Sequence, residues 1–380
     1  MPDRFSAATI EVADSLAAIG AADWNRLAGG HPMLSHAFLH GLHQTQCAVP
    51  GTGWTPQYLL LTVGGRLEAA LPLYLKDHSY GEYVFDWAWA DAYEHAGFQY
   101  YPKLLAAIPF SPVTGNRLLV SDPAYRGPLI DAAIRLTETA GLSSFHCLFP
   151  GDDEAEVMRE RGLMLRTGVQ FHWHNPGYRS FDEFLAGMTH DKRKKIRQER
   201  RKVVDADVRF RWLTGDAISE ADWDFFHRCY VNTYRAHRSA PYLTRQFFLH
   251  LGETMADQVL LIIAERDGKP IASALNLFNG TTLYGRYWGA MEFVPGLHFE
   301  ACYYQAIEFC IERGIRHFEG GAQGEHKLAR GFAPVKTLSA HWLARPEFAS
   351  AVERYLARET VGMANYIDEL NERQPYKPAG

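Results

Sequence analysis

The chain has 380 residues, 47% of them hydrophobic and 22% charged, with a formal net charge of −5. This balance fits a folded globular protein and excludes extensive disorder or a general nucleic-acid coat. The length exceeds what one hydrophobic core usually serves, so two domains of about 170 residues are expected. No window approaches the roughly 20 apolar residues that cross a bilayer. The start, MPDRFSAATIEVADSLAAIG, has no apolar stretch followed by a cleavage site, so a cytoplasmic protein without a transmembrane segment is expected. Cys47, Cys147, Cys229, Cys302 and Cys310 are odd in number and scattered, which suits a reducing compartment.

In chain order, residues 21–48 read as helix, with Trp24, Leu27, Phe38, Leu39 and Leu42 as spaced apolar positions. Tyr58–Val63 turns at Gly64-Gly65 and returns through Leu67–Leu75 as a hairpin. Val84–Trp89 is a further strand candidate, and residues 99–120 read as strand, bend and strand around three prolines. Helix 131–140, strand 144–149, helix 154–161 and strand 169–174 follow, with Gly162 stopping the second helix. Asn175-Pro176-Gly177 marks a boundary. Helix 181–204 comes next, apolar in its first half and basic in its second: Lys192–Lys202 holds eight basic residues against one acidic.

The later half opens with strand Val208–Leu213, a helix over 219–236 capped by Ser219, and a helix over 244–255. Strands 258–265 and 270–279 meet at Asp267-Gly268, a strong hairpin signal. Strand 282–288, helix 299–313, strand 317–320, a short helix over 325–330, strand 337–342 and a terminal helix over 346–370 complete the chain. The order is α/β with mixed sheets and no regular βαβ alternation. No G-x-G-x-x-G after a first strand, no Walker Gly-Lys-Ser/Thr and no H-E-x-x-H is present, which disfavours dinucleotide, nucleoside-triphosphate and zinc-protease chemistry.

The sequence also echoes itself. Arg161-Gly162 precedes a strand ending Phe171-His172-Trp173, and Arg330-Gly331 precedes one ending Ala340-His341-Trp342 at the same spacing. LLLTVGGRLEAALPLYL from Leu59 resembles VLLIIAERDGKPIASALNLF from Val259. Two diverged copies of one unit are the simplest reading, with a ligand cleft between them. The expected division is an amino-terminal domain over 1–176, a basic connecting helix over 177–204, and a carboxy-terminal domain over 205–380.

The densest polar stretch runs from Phe318 to Lys327. Gly320, Gly321 and Gly324 permit close backbone approach, while Glu319, Glu325, His326 and Lys327 offer acid, base and cation, with Gln323 among them. A helix opening near Gly324 would aim free amides at an anion, with Lys327 one turn in. Tyr284, Arg286 and Trp288 alternate onto one strand face beside Tyr287, followed by His298, Glu300, Tyr303 and Tyr304. Arg286 either crosses a groove to an anionic substrate or caps a sheet edge. His298 is either a base at neutral pH or a capping histidine. Arg193 and Arg197 share one flank of the basic helix and suit a phosphate-rich ligand, against a solvated helix as the plain alternative. No metal centre is expected, because the histidines at 172 and 174 lack converging cysteine or carboxylate partners.

HDKRKKIRQERRKV, YGRYWGAMEFVPGLHFEACYYQAIEFCIERG and HFEGGAQGEHKLARGFAPV together resemble the FemAB-like group of the GNAT N-acyltransferase superfamily, described as peptidoglycan biosynthesis/recognition proteins. The resemblance implies a tandem duplicated GNAT-like acyl-CoA N-acyltransferase fold and transfer of an activated acyl group to a primary amine. It places Glu319 and Lys327 at the family's acidic and lysine positions, ahead of Gly331-Phe332. Glu319 is then the first candidate to orient or deprotonate the amine, with His298 and His326 as alternatives. Arg286, Tyr287, Glu300, Tyr303, Gly320, Gly321, Lys327, Arg193 and Arg197 are candidate substrate- or cofactor-binding residues. No tightly bound cofactor is implied; acyl-CoA or aminoacyl-tRNA would be the cosubstrate. The acceptor would be a small-molecule or peptide amine, such as a nucleotide-linked cell-wall precursor. The long coiled-coil arms of some tRNA-dependent members and the Q/R-x-x-G-x-G/A pyrophosphate loop are both missing. Aminoacyl-tRNA-dependent extension of a precursor peptide, and recognition of a precursor without catalysis, stand as alternatives.

Overall fold

The computed structural model describes residues 8–322 and 324–377. The chain separates into two compact units, Met1–Gly168 with Lys336–Asn365, and Val169–Val335 with Tyr366–Gly380. Residues 177–204 therefore belong to the second unit, together with the segment that follows them. The chain passes between units inside strands, because two strands are long enough to serve both.

In the first unit, β1 (Ala8–Ala13), β3 (Tyr58–Val63), β4 (Arg66–Leu71) and β7 (Leu119–Val120) form one sheet in the order β1-β3-β4-β7. The other sheet strands are β2 (Trp54–Pro56), β5 (Leu73–Lys76), β6 (Lys103–Ala106) and β8 (Ser144–Leu148). β6 runs parallel to β8 and antiparallel to β5, which pairs with β2. The expected helix over 21–48 is two helices, α1 (Ala21–Ala28) and α2 (His36–Gln44), because Gly29-Gly30 and Pro32 break it. Of the strand expected at 84–89, residues 87–89 instead open α3 (Trp87–His95) and 84–86 are irregular. The alternation Trp-Ala-Trp-Ala suits either period, and burial decides: Trp89 and Tyr93, one turn apart, pack with Val352 and Leu356. α4 (Arg126–Thr139) and α5 (Asp152–Glu160) complete this part of the chain.

This unit encloses charge. Lys103 is fully buried and donates to Glu82 and Ser79, each at 2.8 Å, and to Asp86. Tyr100 donates to Asp86 at 2.6 Å and lies 3.0 Å from His146 Nε2, whose Nδ1 meets His341 Nδ1 at 2.8 Å. Burial pushes the Glu82 carboxyl up to about 7, whereas the Lys103 ammonium overrides burial at Asp86 and holds it well below the usual carboxylate range. A cation shared by two buried carboxylates is costly to remove, because the survivors stay buried and charged. Lys103→Met is therefore expected to destabilise the protein by about 3–5 kcal/mol. The urea midpoint measures this, and a change within error would mean the carboxylates are held neutral.

The second unit begins within β9 (Met164–His174). Helix 181–204 is divided into α6 (Phe181–Ala186), capped by Ser180, and α7 (His190–Val204). β10 (Val208–Leu213) is followed by α8 (Glu220–Ala236), where Asp222 closes a capping box with Ser219, and by α9 (Arg245–Thr254), capped by Thr244. β11 (Val259–Arg266) and β12 (Lys269–Phe278) form the expected hairpin, with Asp267 and Gly268 both left-handed at φ 52° and 71°. β13 (Thr282–Ala290) pairs antiparallel with β12 through a bulge at Leu275/Asn276. α10 (Leu297–Phe299), a π-turn over Glu300–Tyr304 and α11 (Gln305–Arg313) form one continuous helical stretch.

β14 (His317–Glu319) lies parallel to β13 and antiparallel to β9. β15 (Ala333–Leu343) then carries the chain back to the first unit, where Ser339–Leu343 pair with β8, and α12 (Pro346–Glu372) closes the fold. The second core gathers Trp173, Phe184, Ile196, Tyr304, Phe309 and Phe318. Among the described residues, no helix is long and apolar enough to cross a membrane.

Candidate functional site

The site begins where a pairing stops. β13 and β14 run parallel only from Thr282↔His317 to Tyr284↔Glu319. Beyond that point β13 continues, while the other chain turns away through Gly320 and Gly321, the latter left-handed at φ 83°. The separation leaves a cavity of about 120 Å³. Gly285, Arg286, Tyr287 and Trp288 of β13 line one side, Gly320 and Gly321 another, and His298, Cys302 and Tyr303 a third. Asn276 lines it at the β12 bulge, a feature common beside active sites. The π-turn that carries Cys302 and Tyr303 is likewise a rare local form found mostly at functional sites.

Six residues singled out by sequence thus meet here: Arg286, Tyr287, His298, Tyr303, Gly320 and Gly321. His326 joins them through Tyr303, whose hydroxyl lies 3.0 Å from His326 Nε2. The His298 ring packs beside Trp288, Tyr303 and His326 at centroid separations of 5.5, 5.6 and 6.4 Å. Burial, aided by the charges of His326, Arg330 and Lys327, lowers His298 to about 4, so its imidazole is neutral at pH 7. Burial also lowers His326 and raises the Tyr303 hydroxyl.

The other candidates occupy different places. Glu319 is buried at the end of β14, in register between Tyr284 and His172, and is not among the residues lining the cavity. Glu300 is braced by Arg200, which contacts Glu300 at 3.0 Å and Glu308 at 2.9 Å, and by Gln305 at 2.8 Å. Arg193 and Arg197 lie on the outward face of α7 with His190, Lys194, Gln198 and Arg201. Gln323 lies outside the described residues. The helix expected near Gly324 is a 3-10 turn over Glu325–Arg330, too short to sum an appreciable dipole.

Lys327 has a structural task. It is only 2% exposed, and its Nζ donates to the Gly321 carbonyl at 2.9 Å. Its stem packs under Gly320, where an added Cβ would come 3.4 Å from Lys327 Cδ and 2.8 Å from the Phe332 ring. The ammonium thus pins the glycine turn that walls the cavity. Arg330 is a further residue that holds the wall. It donates to Glu199 at 2.8 Å and to the His326 carbonyl at 2.6 Å, and its guanidinium lies 3.4 Å from the centre of the Phe299 ring. Glu199 also accepts from Tyr304. The sequence signals were the repeated Arg-Gly pair and the single acid in the basic run, and neither reveals its partner.

The geometry can be set beside known proteins. A family model of FemAB-like proteins, described as peptidoglycan biosynthesis/recognition, matches residues 15–378. The chain belongs to the FemAB-like family. Solved structures resemble it at low sequence identity. FemX is 11% identical over 88% of this chain and 98% of its own, with a TM-score of 0.55. L-PGS from Bacillus licheniformis is 11% identical over 89% of this chain and 97% of its own, at 0.54. A conserved protein of unknown function from Bacteroides thetaiotaomicron is 13% identical over 87% and 99%, at 0.53. No curated protein matches the sequence. The FemAB-like chain thus has the mixed α/β acyltransferase fold of the FemAB/GNAT superfamily, and its cavity lies where a central sheet splays.

Lys327 gives this wall a pH signature. Burial lowers its ammonium from 10.5 to about 8. Between those values the unfolded chain binds a proton that the folded chain has released, so this group makes stability rise as pH increases from about 8 towards 10.5. Lys327→Met should remove that rise from a plot of urea midpoint against pH. An unchanged slope would place the Lys327 ammonium in solvent.

Proposed function

We propose that the FemAB-like chain is an N-acyltransferase that moves a short activated acyl group, carried by a coenzyme A thioester, to a primary amine. The observation that carries this reading is the cavity at the β13–β14 separation, lined by the neutral imidazole of His298 and by Tyr303, whose hydroxyl meets His326. The amine nitrogen attacks the acyl carbonyl carbon, and a C–N bond forms. His298, whose ring lines the cavity, accepts the proton that the nitrogen loses. The C–S bond breaks as the tetrahedral adduct collapses, the thiolate takes the Tyr303 hydroxyl proton, and the proton held on the neighbouring His298 ring then restores the phenol. Proximity does much of the work, since a small cleft holds both reactants in order. The internal sequence echo supports a tandem duplication. Each echoed strand, β9 and β15, begins with one half of the chain and ends in the unit of the other.

Turnover is tested by mass spectrometry of a panel of primary amines and amino-terminal peptides offered with acetyl-coenzyme A or with charged tRNA. His298→Gln and Tyr303→Phe are each expected to lower kcat by about 10²–10⁴-fold with a smaller change in KM. Transfer only from charged tRNA would replace the thioester with an ester as donor. Binding of amines without turnover from either donor would make the chain a recognition protein. A larger kcat loss in Glu319→Gln than in His298→Gln would move the base to Glu319.

A further inference from the structure

α7 turns two unlike faces outward and inward. Ile196 and Val203 are buried, and Glu199 is drawn inward to Tyr304 and Arg330. Arg200 is likewise spent on Glu300 and Glu308. The opposite flank carries Arg193, Arg197 and Arg201 at successive turns, with Lys194 beside them. The acids nearby do little to neutralise it. Asp182 reaches Arg197 at only 3.5 Å, and the helix's one mid-length acid, Glu199, is already bound on the inner face. Five of the eight basic residues in this run, Lys194, Lys195, Arg197, Arg201 and Lys202, are exposed.

Apolar side chains also stand in solvent, one at the end of this helix and two on a loop that packs against it. Val204, one turn beyond Arg201 on the same flank, is 68% exposed. Phe293 is 91% exposed and Met291 49%. The loop that carries them is fixed against the same helix. Val294 and Val203, the neighbours of Phe293 and Val204, are buried in one small core. Gly296 lies so close that a Cβ there would come 3.1 Å from the Glu199 carbonyl. The loop's acid, Glu292, is paired with Arg266. A rigid loop that leaves a phenylalanine almost wholly in water gains nothing from that exposure within this chain.

We infer that α7 and the 291–296 loop form a docking surface for an anionic lipid bilayer. Arginine and lysine are drawn to the negative headgroups, and Phe293, Met291 and Val204 leave water for the headgroup–acyl boundary. RNA would satisfy the cations equally well, but its phosphates offer nothing to an exposed valine and methionine. The combination favours lipid. The inference stands apart from the acyl-transfer reading, since it uses no residue of the cavity.

The test is co-sedimentation of the whole protein with vesicles of phosphatidylglycerol and phosphatidylcholine in equal parts, with phosphatidylcholine vesicles as the neutral control. Preferential binding to the anionic vesicles is expected. It should weaken at least about tenfold in the R193Q/R197Q/R201Q variant and also in the F293S/M291S variant, whose charge is unchanged. All five positions lie outside the core, and circular dichroism with the urea midpoint confirms that each variant is folded. Equal binding to both vesicle types, or to neither, would overturn the inference. So would loss in the arginine variant with full retention in F293S/M291S, together with tight, salt-sensitive retention of RNA, since that pattern describes a phosphate-binding face with no lipid contact.

Discussion

The second unit's site depends on one carboxylate. Glu199, the lone acid amid eight basic residues, accepts from Arg330 on one side and Tyr304 on the other. Arg330 in turn holds the His326 carbonyl and covers the Phe299 ring. The 3-10 turn at 325–330 is thereby fastened to α7 and to the helical stretch that begins at Leu297. From that turn His326 meets Tyr303, and Lys327 reaches the Gly321 carbonyl. Two walls of the cavity are thus set by a charge pair whose members are 131 residues apart in sequence. Desolvated and well hydrogen-bonded, such a pair is worth more as a specifier of geometry than as net stability. A short turn made of glycines has little stiffness of its own, so its position must be imposed from outside.

The first unit solves a similar problem by sharing. One lysine, Lys103, serves two carboxylates and a serine, and a tyrosine–histidine–histidine chain continues the network to Ser339. The contrast is instructive. There the charges are enclosed among core residues. In the second unit the charges surround a vacancy where strands part. Charge enclosure alone is therefore weak evidence for chemistry. The separation of β13 from β14, with backbone left at a cavity, is the stronger sign.

Local chemistry was readable from the sequence and distant pairing was not. The Asp267-Gly268 hairpin, strand Val208–Leu213 and the Ser219 cap each rest on residues within a few positions of one another. The strand expected over Val84–Trp89 failed because alternating tryptophan and alanine fits two periods, and contacts from residues 348–356 choose between them. Glu300 looked like a ligand-binding acid at a helix start. Its partner Arg200 lies 100 residues earlier, in a run that reads as uniformly basic. Lys327 was placed beside an anion on the strength of an expected helix, and the 3-10 turn instead directs its amine to a carbonyl six residues back. Of the candidate residues, those on β13, the glycine turn and the following helix converge, because the parting of β13 from β14 opens consecutive β13 residues to the cavity and the π-turn brings Tyr303 beside His298.

The cavity's size divides labour within the protein. A cavity of about 120 Å³ is a small one, of a size for a carbonyl, a short acyl chain and a nitrogen. The cavity has neutral rings and an arginine, whereas the outer flank of α7 carries a run of exposed cations. Because Glu199 and Arg200 point inward from the same helix that shows Arg193, Arg197 and Arg201 outward, an event on the outer face has a short physical route to the wall. A shift of α7 by a fraction of an ångström would act on Arg330 first, since that guanidinium is held by Glu199 and the His326 carbonyl together. The helix thus joins the exposed basic flank to the turn that shapes the small cavity.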